Sequence, residues 1–161
     1  MILYHGSNVA IDIIDLKCGR RGKDFGQGFY LSPDRSQAMK MAERTVAREE
    51  SGHVTLTAYQ FDEDILKEHS DLKIKVFESY STEWAEFVIK NRRNRSEIQA
   101  HGYDIVYGPI ANDKVGVQIS RYQLHYIPME ELVRQLTFIQ PTFQYFFGTE
   151  QALLTLKKME I

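Results

Sequence analysis

Cysteine is nearly absent from this chain, which has one cysteine, Cys18, among 161 residues. A single cysteine can form neither an internal disulfide nor a cysteine-based metal site, as is typical of proteins in a reducing compartment. No apolar run approaches the length of a membrane-spanning helix, and the residues after Met1 are too polar for the apolar part of a signal peptide. We therefore expect a cytoplasmic protein with no membrane partner.

An excess of charge of one sign is also lacking, because 20 Lys and Arg residues face 22 Asp and Glu residues, for a net charge of −2. Such a chain has no overall field that attracts nucleic acid or a membrane, so any such partner must be recognised locally. The five histidines show no metal-ligand spacing, which predicts no metal. Without a Walker A loop, a Gly-x-Ser-x-Gly elbow or a catalytic-cysteine signature, kinase-like, hydrolase and thiol mechanisms have no support.

The composition fits one globular domain, since 43% of the residues are hydrophobic and no linker or repeat interrupts the sequence. Strands are predicted near residues 2–5, 54–61, 72–77, 103–107 and 117–126, and a last strand at 145–147. Helices are predicted from Asp34 to a stop at Gly52, from Ser81 to the basic stretch 90–95, after Pro128, and from Thr149 to about Lys158. Because strands and helices neither alternate nor segregate, the pattern favours an α+β fold with largely antiparallel sheet.

Three segments together carry the chemistry: Leu3–Ser7, Asp24–Ser32 and Gln144–Leu153. Their order resembles the ADP-ribosyltransferase superfamily, in the His-Tyr-Glu branch that includes diphtheria-toxin-like toxins and poly(ADP-ribose) polymerases. A family of small bacterial proteins of uncharacterised function in that superfamily is similar over nearly the whole chain, including residues 84–92 and 103–113. The resemblance implies a single domain of split antiparallel β-sheets flanked by helices, with NAD as co-substrate.

The first two segments contain groups suited to NAD. Gly6 allows a primary amide such as nicotinamide to approach the backbone closely, and Tyr30 offers a flat ring for stacking. In the resembling family the histidine at the position of His5 points at a ribose hydroxyl. Alone, the His-Gly pair is more often part of an exposed loop, and Tyr30 an ordinary strand aromatic. The predicted NAD contacts are His5, Gly6, Ser7, Arg20, Phe25, Gly28 and Tyr30.

The third segment departs from the His-Tyr-Glu pattern, because the glutamate position falls on Gln144. The predicted catalytic set is therefore His5, Tyr30 and Gln144. In the resembling enzymes the carboxylate bonds the nicotinamide ribose and stabilises the oxocarbenium-like state, so a neutral amide costs on the order of a hundredfold in rate unless another acid compensates. The acids considered as replacements are Glu86, Asp104, Asp113 and Glu150.

The loop 17–28 is expected to act as a lid, and its basic residues Arg20, Arg21 and Lys23 either hold the NAD pyrophosphate or are simply solvated. Arg92 is equally well explained as a phosphate or acceptor contact and as a basic residue at a helix end. The pair Asn112-Asp113 is better explained as turn chemistry.

The leading hypothesis is an NAD-dependent mono-ADP-ribosyltransferase, toxin-like or regulatory, acting on an unknown protein or nucleic-acid acceptor. The resemblance to toxin-like proteins suggests an antitoxin protein as a partner. A second hypothesis is a non-catalytic module that binds NAD or ADP-ribose, because Gln144 replaces the charged stabiliser. A third is a nucleic-acid-modifying transferase that uses residues 90–95 as a local phosphate contact.

Overall fold

Seven strands and five helices form the described part of the chain, residues 1–67 and 71–161 of a computed structural model. The strands are β1 (Ile2–Ser7), β2 (Phe29–Leu31), β3 (Thr55–Gln60), β4 (Ile74–Val76), β5 (Ile105–Pro109), β6 (Phe143–Phe147) and β7 (Lys157–Met159). The helices are α1 (Arg35–Glu49), α2 (Thr82–Arg93), α3 (Asp113–Gln123), α4 (Met129–Leu136) and α5 (Glu150–Leu153). Short 3-10 turns cover Leu16–Cys18 and Glu63–Leu66.

The strands form two sheets. The first is antiparallel in the order β1-β3-β7, and the second has the order β2-β6-β5-β4, in which only the β4–β5 pair is parallel. An isolated pairing of Tyr4 with Ser32 joins β1 to the end of β2. The chain is thus an α+β domain of two sheets flanked by helices, and the α+β class with largely antiparallel sheet is what the element pattern predicted.

Three helix starts predicted from the sequence are confirmed by their capping hydrogen bonds. The Asp34 carboxylate accepts from the backbone N–H of Ser36 at 2.8 Å, and the Ser81 hydroxyl accepts from that of Trp84 at 3.1 Å. Thr149 caps α5 in the same way. Among the described residues, no helix is both long and apolar enough to cross a membrane.

The strand predicted at 117–126 is wrong, because residues 113–123 form α3. The Asn112 side chain accepts from the backbone N–H of Val115 at 3.1 Å and so begins a helix instead of a turn. Val115 and Ile119 are spaced four apart and both are buried, which is the pattern of an amphipathic helix face.

The closing helix also differs from the prediction, since α5 ends at Leu153 and a strand, β7, follows it. The hydroxyl of Thr155 donates to the carbonyl of Ala152 at 2.7 Å, where the helical pattern ends. Met159 then pairs with Ala58, so β7 satisfies the otherwise open edge of β3. The strand at 143–147 is therefore not the last one.

Two hydrophobic clusters fix the sheets in place. One lies between the second sheet and α2, α3 and α4, with Trp84 at its centre, and the other lies between the two sheets, around Phe147. The indole N–H of the fully buried Trp84 donates to the carbonyl of Pro109 at 3.1 Å, so α2 is tied to the end of β5. This positions the start of α3 and the residues that flank it.

Helix α1 packs against the outer face of β1. A Cβ atom added at Gly6 would overlap the backbone carbonyl of Ala38, because the helix lies directly on the strand at this point. Ala38 and Ala42 are buried beside it. Gly6 is therefore required for the close contact between α1 and β1, a role that the sequence did not predict.

Candidate functional site

His5 and Tyr30 lie on β1 and β2 and are joined directly. Nδ1 of His5 donates to the backbone carbonyl of Tyr30 at 2.9 Å, and the imidazole stacks on Phe29 with 4.4 Å between ring centroids. Because a carbonyl oxygen only accepts, Nδ1 carries the proton. In the neutral ring Nε2 is then the free hydrogen-bond acceptor.

The surroundings of His5 favour the neutral form. Burial lowers the pKa of His5 below its usual value of 6.5; the bond to the Tyr30 carbonyl partly opposes this, and the positive charge of Lys23 lowers the pKa further. The imidazole is therefore uncharged at neutral pH, and Nε2 is suited to accept a hydrogen bond from a hydroxyl group.

The Tyr30 side chain is fixed at both its hydroxyl and its ring. The hydroxyl donates to the carbonyl of Gly26 at 2.7 Å and accepts from the N–H of Phe25 at 3.0 Å. The ring meets that of Phe146 edge to face, with 5.2 Å between centroids. Nζ of Lys23 lies 4.3 Å from the ring centroid, so a cation lies over the ring that is predicted to stack a ligand.

Gly6 presents its backbone polar groups at the edge of β1. Tyr4 exchanges both backbone hydrogen bonds with Ser32, at 2.8 Å each, whereas Met1 accepts from Phe61 beside β3. Alternation along the strand therefore directs the N–H and C=O of Gly6 to the same edge as those of Tyr4, just beyond the Ser32 pairing. A donor and an acceptor side by side are complementary to a primary carboxamide.

A second polar group of residues surrounds Asp24, and we call it the Asp24–Arg92–Gln144 network. Nε of Arg92 donates to Oδ1 of Asp24 at 2.8 Å, while the backbone N–H of Ala111 and Nε2 of Gln144 donate to Oδ2 at 3.1 and 3.5 Å. The Asp24 side chain is only 14% exposed. Gln144 is two residues before Phe146 on β6, so both side chains lie on the face of the sheet that carries Tyr30.

The acid beside Gln144 is thus Asp24, and not one of the four acids proposed from the sequence. Asp104 accepts instead from the N–H of Lys73 and the hydroxyl of Thr149, both at 2.7 Å, at the opposite end of β5. The other three are exposed on helices: Glu86, Asp113 and Glu150. The available signal for Asp24 was its place at the start of the second motif segment.

The loop 17–28 is tied to residues 95–101 at several points. Nε2 of Gln99 donates to the Gln27 carbonyl, and Nε2 of His101 donates to the Phe25 carbonyl at 2.7 Å. Gly26 has a φ of 98°, in the left-handed region that favours glycine. The loop therefore folds over α2 and β6 in a defined conformation, and its action as a lid stays a prediction.

The other residues predicted to contact NAD differ in solvent exposure. Ser7 is half-buried and its hydroxyl donates to Asn8 at 3.3 Å, and Arg20 is exposed. Phe25 is fully buried, so its side chain supports Tyr30 from behind and offers no surface to a ligand. Gly28 is buried where a Cβ atom would overlap the ring of Phe146, so its role is packing.

The fold brings two basic runs of the sequence together. Arg21 donates to the carbonyl of Arg95 at 3.3 Å, and Arg95 donates to the carbonyl of Arg21 at 3.2 Å. Glu97 neutralises Arg21, whereas Arg20 and Arg93 are exposed. A surface groove of about 540 Å³, lined by one side of α3, opens beside Arg92.

Within residues 1–67 and 71–161 no group of three or more His, Cys, Asp or Glu side chains could hold a metal ion. His69, one of the five histidines, lies outside the described residues.

A family model described as "Protein of unknown function (DUF3990)" matches residues 1–158. Neither the curated proteins nor the solved structures give a match.

Proposed function

The chain belongs to the DUF3990 family, whose function is unknown, and we propose that it is an NAD-dependent mono-ADP-ribosyltransferase. The observation that supports this most strongly is the bond between Nδ1 of His5 and the carbonyl of Tyr30, 2.9 Å long, which joins the first two residues of the His-Tyr-Glu pattern. It leaves Nε2 of a neutral imidazole to accept from a ribose hydroxyl of NAD.

The nicotinamide end of NAD fits the neighbouring groups. Its carboxamide matches the N–H and C=O of Gly6 at the edge of β1. Its ring carries a positive charge, and the ring face of Tyr30 already accepts a cation, the ammonium of Lys23 at 4.3 Å. NAD binding thus exchanges one cation for another above Tyr30 and releases Lys23 toward the phosphates.

The reaction breaks the bond between the nicotinamide nitrogen and the ribose carbon, and the bonding electron pair leaves with neutral nicotinamide. A nucleophile of the acceptor then bonds to that carbon and loses its proton. Gln144 is the third residue of the pattern, and its amide accepts from the ribose while positive charge develops on the sugar. The groove beside Arg92 adjoins the Asp24–Arg92–Gln144 network, so we expect the acceptor to bind there.

The test is the release of nicotinamide from NAD by the purified protein, measured together with NAD binding by calorimetry. We expect His5→Ala to lose release by about a hundredfold or more, because the ribose loses its acceptor. The matched control is His53→Ala, which removes an exposed histidine outside the site. Binding of NAD without release would favour the non-catalytic module, and a lack of binding would contradict both.

A nucleic-acid acceptor is a second candidate, favoured by the contact between Arg21 and Arg95 that joins the two basic runs. The double variant Arg93→Gln with Arg95→Gln should then weaken binding to DNA or RNA and reduce its salt dependence by about two counterions, while NAD binding is unchanged. If DNA and RNA do not bind, or bind independently of salt, a nucleic-acid acceptor is excluded and a protein acceptor is favoured. A toxin-like role with an antitoxin partner stays a prediction from the resemblance.

A further inference from the structure

The carboxylate of Asp24 is held by donors from three different parts of the fold. Arg92 on α2 binds Oδ1, whereas Ala111, after β5, and Gln144 on β6 bind Oδ2. The two oxygens therefore have separate tasks. Oδ1 anchors the carboxylate to the guanidinium, and Oδ2 faces the amide of Gln144.

This contact fixes the orientation of the Gln144 amide. An ionised carboxylate only accepts hydrogen bonds, so the amide must turn its NH₂ group toward Asp24. Its carbonyl oxygen, Oε1, then points away from Asp24 and is the group left to accept from a ligand. A flipped amide would set two oxygen acceptors 3.5 Å apart, which is repulsive.

The negative charge of Asp24 also acts beyond its direct partners. Its carboxylate contributes, after burial, to the raised pKa values of Tyr30 and Tyr80, and that of Tyr80 reaches about 12. Donation by an amide N–H to a carboxylate pushes electron density through the amide group toward its oxygen and makes that oxygen a stronger acceptor. In a site only 14% exposed at Asp24, water screens this effect weakly.

We propose that Asp24 is a positioning residue that orients and polarises the Gln144 amide, so that a neutral side chain performs the task of the usual glutamate. The inference rests on the ADP-ribosyl transfer proposed above. The negative charge then lies on Asp24 in the loop 17–28, and Gln144 on β6 stands between that charge and the ribose.

The closing experiment exchanges the two side chains and measures kcat and KM for nicotinamide release. Asp24→Asn should lower kcat about tenfold or more with little change in KM for NAD, since the stabilisation is greatest as charge develops. Gln144→Glu alone sets two carboxylates together, so its rate should fall and acquire a new pH dependence. The double variant Asp24→Asn with Gln144→Glu again pairs one carboxylate with one amide, and it should recover most of the wild-type kcat.

Asp104→Asn is the matched control, because Asp104 also accepts two short hydrogen bonds but lies at the other end of β5. It should lower thermal stability without changing kcat or its pH profile. A double variant no faster than the product of the two single effects would overturn the proposal, as would an unchanged kcat in Asp24→Asn.

A readout that needs no turnover separates this inference from the proposed function. In the protein without NAD, the Gln144 side-chain NH₂ resonances should shift in Asp24→Asn relative to the wild type and stay in place in Asp104→Asn. If the shift is present but the wild type releases no nicotinamide, the orientation by Asp24 stands and the transferase fails. If the shift is absent, the positioning role is overturned whatever the wild type does.

Discussion

His5 and Asp24 are both partly removed from water, yet their polar atoms are surrounded by different groups. His5 is neutral at pH 7, because burial and the charge of Lys23 lower its pKa more than the bond to the Tyr30 carbonyl raises it. Asp24 accepts hydrogen bonds from Arg92 and from two N–H donors, those of Ala111 and Gln144. The comparison shows two ways to keep a polar group away from water in a folded chain: its charge is removed, or the group is paired with hydrogen-bond donors.

The largest effect on stability is expected next to His5, at Gly6, where the backbone of β1 touches α1. Gly6→Ala places a methyl group onto the carbonyl of Ala38, so we expect a loss of about 3 kcal/mol or more in the free energy of unfolding. Urea denaturation measures it. In contrast, Gly116→Ala adds a methyl group that meets nothing within 4 Å inside α3 and should stabilise by about 0.5–1 kcal/mol. Similar unfolding energies for the two variants would contradict the close contact.

An intermediate effect on stability is expected at the ion pair of Asp24 with Arg92. Asp24→Ala leaves Arg92, 30% exposed, without its carboxylate and should lower the free energy of unfolding by about 2–3 kcal/mol. The comparison variant is Glu97→Ala, which breaks the pair with Arg21 where Glu97 is 86% exposed, and it should cost less than about 0.5 kcal/mol. Equal losses in thermal denaturation would mean that burial does not distinguish the two pairs.

The smallest effect concerns the protonation of His5. The pKa of His5 in the folded chain lies below 6.5, its usual value in an unfolded chain. As the pH falls, the unfolded chain therefore binds a proton before the folded chain does. The free energy of unfolding is then highest above pH 6.5 and decreases as the pH drops below that value. Nicotinamide release should decline in the same acidic range. Lys23→Gln removes a charge that lowers this pKa, so the His5 titration followed by NMR should move to higher pH. Lys17→Gln, exposed in the same loop, should leave it unchanged.

Much of the fold follows from local sequence signals. The caps at Asp34 and Ser81 start α1 and α2 as predicted, and β1 contains the predicted strand. Asn112 by itself predicts a turn, because an Asn side chain bonds nearby backbone N–H groups both in turns and at helix starts. The burial of Val115 and Ile119 on one helix face decides for the helix. Strand β7 could not be predicted, since it depends on the open edge of β3 about a hundred residues earlier in the chain.

The candidate site was only partly accessible from sequence. The motif order predicts His5, Tyr30 and Gln144, because each lies in a short distinctive segment, and their catalytic roles stay a prediction. The sequence does not predict Asp24 as the acid beside Gln144, since the distance between them depends on how the loop 17–28 folds over the sheet. Lys23 above the ring of Tyr30 is a further contact that spacing along the chain cannot reveal.

Strand β6 has a consequence for the order of events during synthesis. It is translated after β2, β4 and β5, yet it lies between β2 and β5 in the second sheet. Until Phe147 has left the ribosome, β2 has no neighbour in that sheet, and Asp24 has no Gln144 to face. A nascent chain that lacks β6 therefore carries His5 and Tyr30 without Gln144, so the activity proposed here would begin only after β6 has been synthesised.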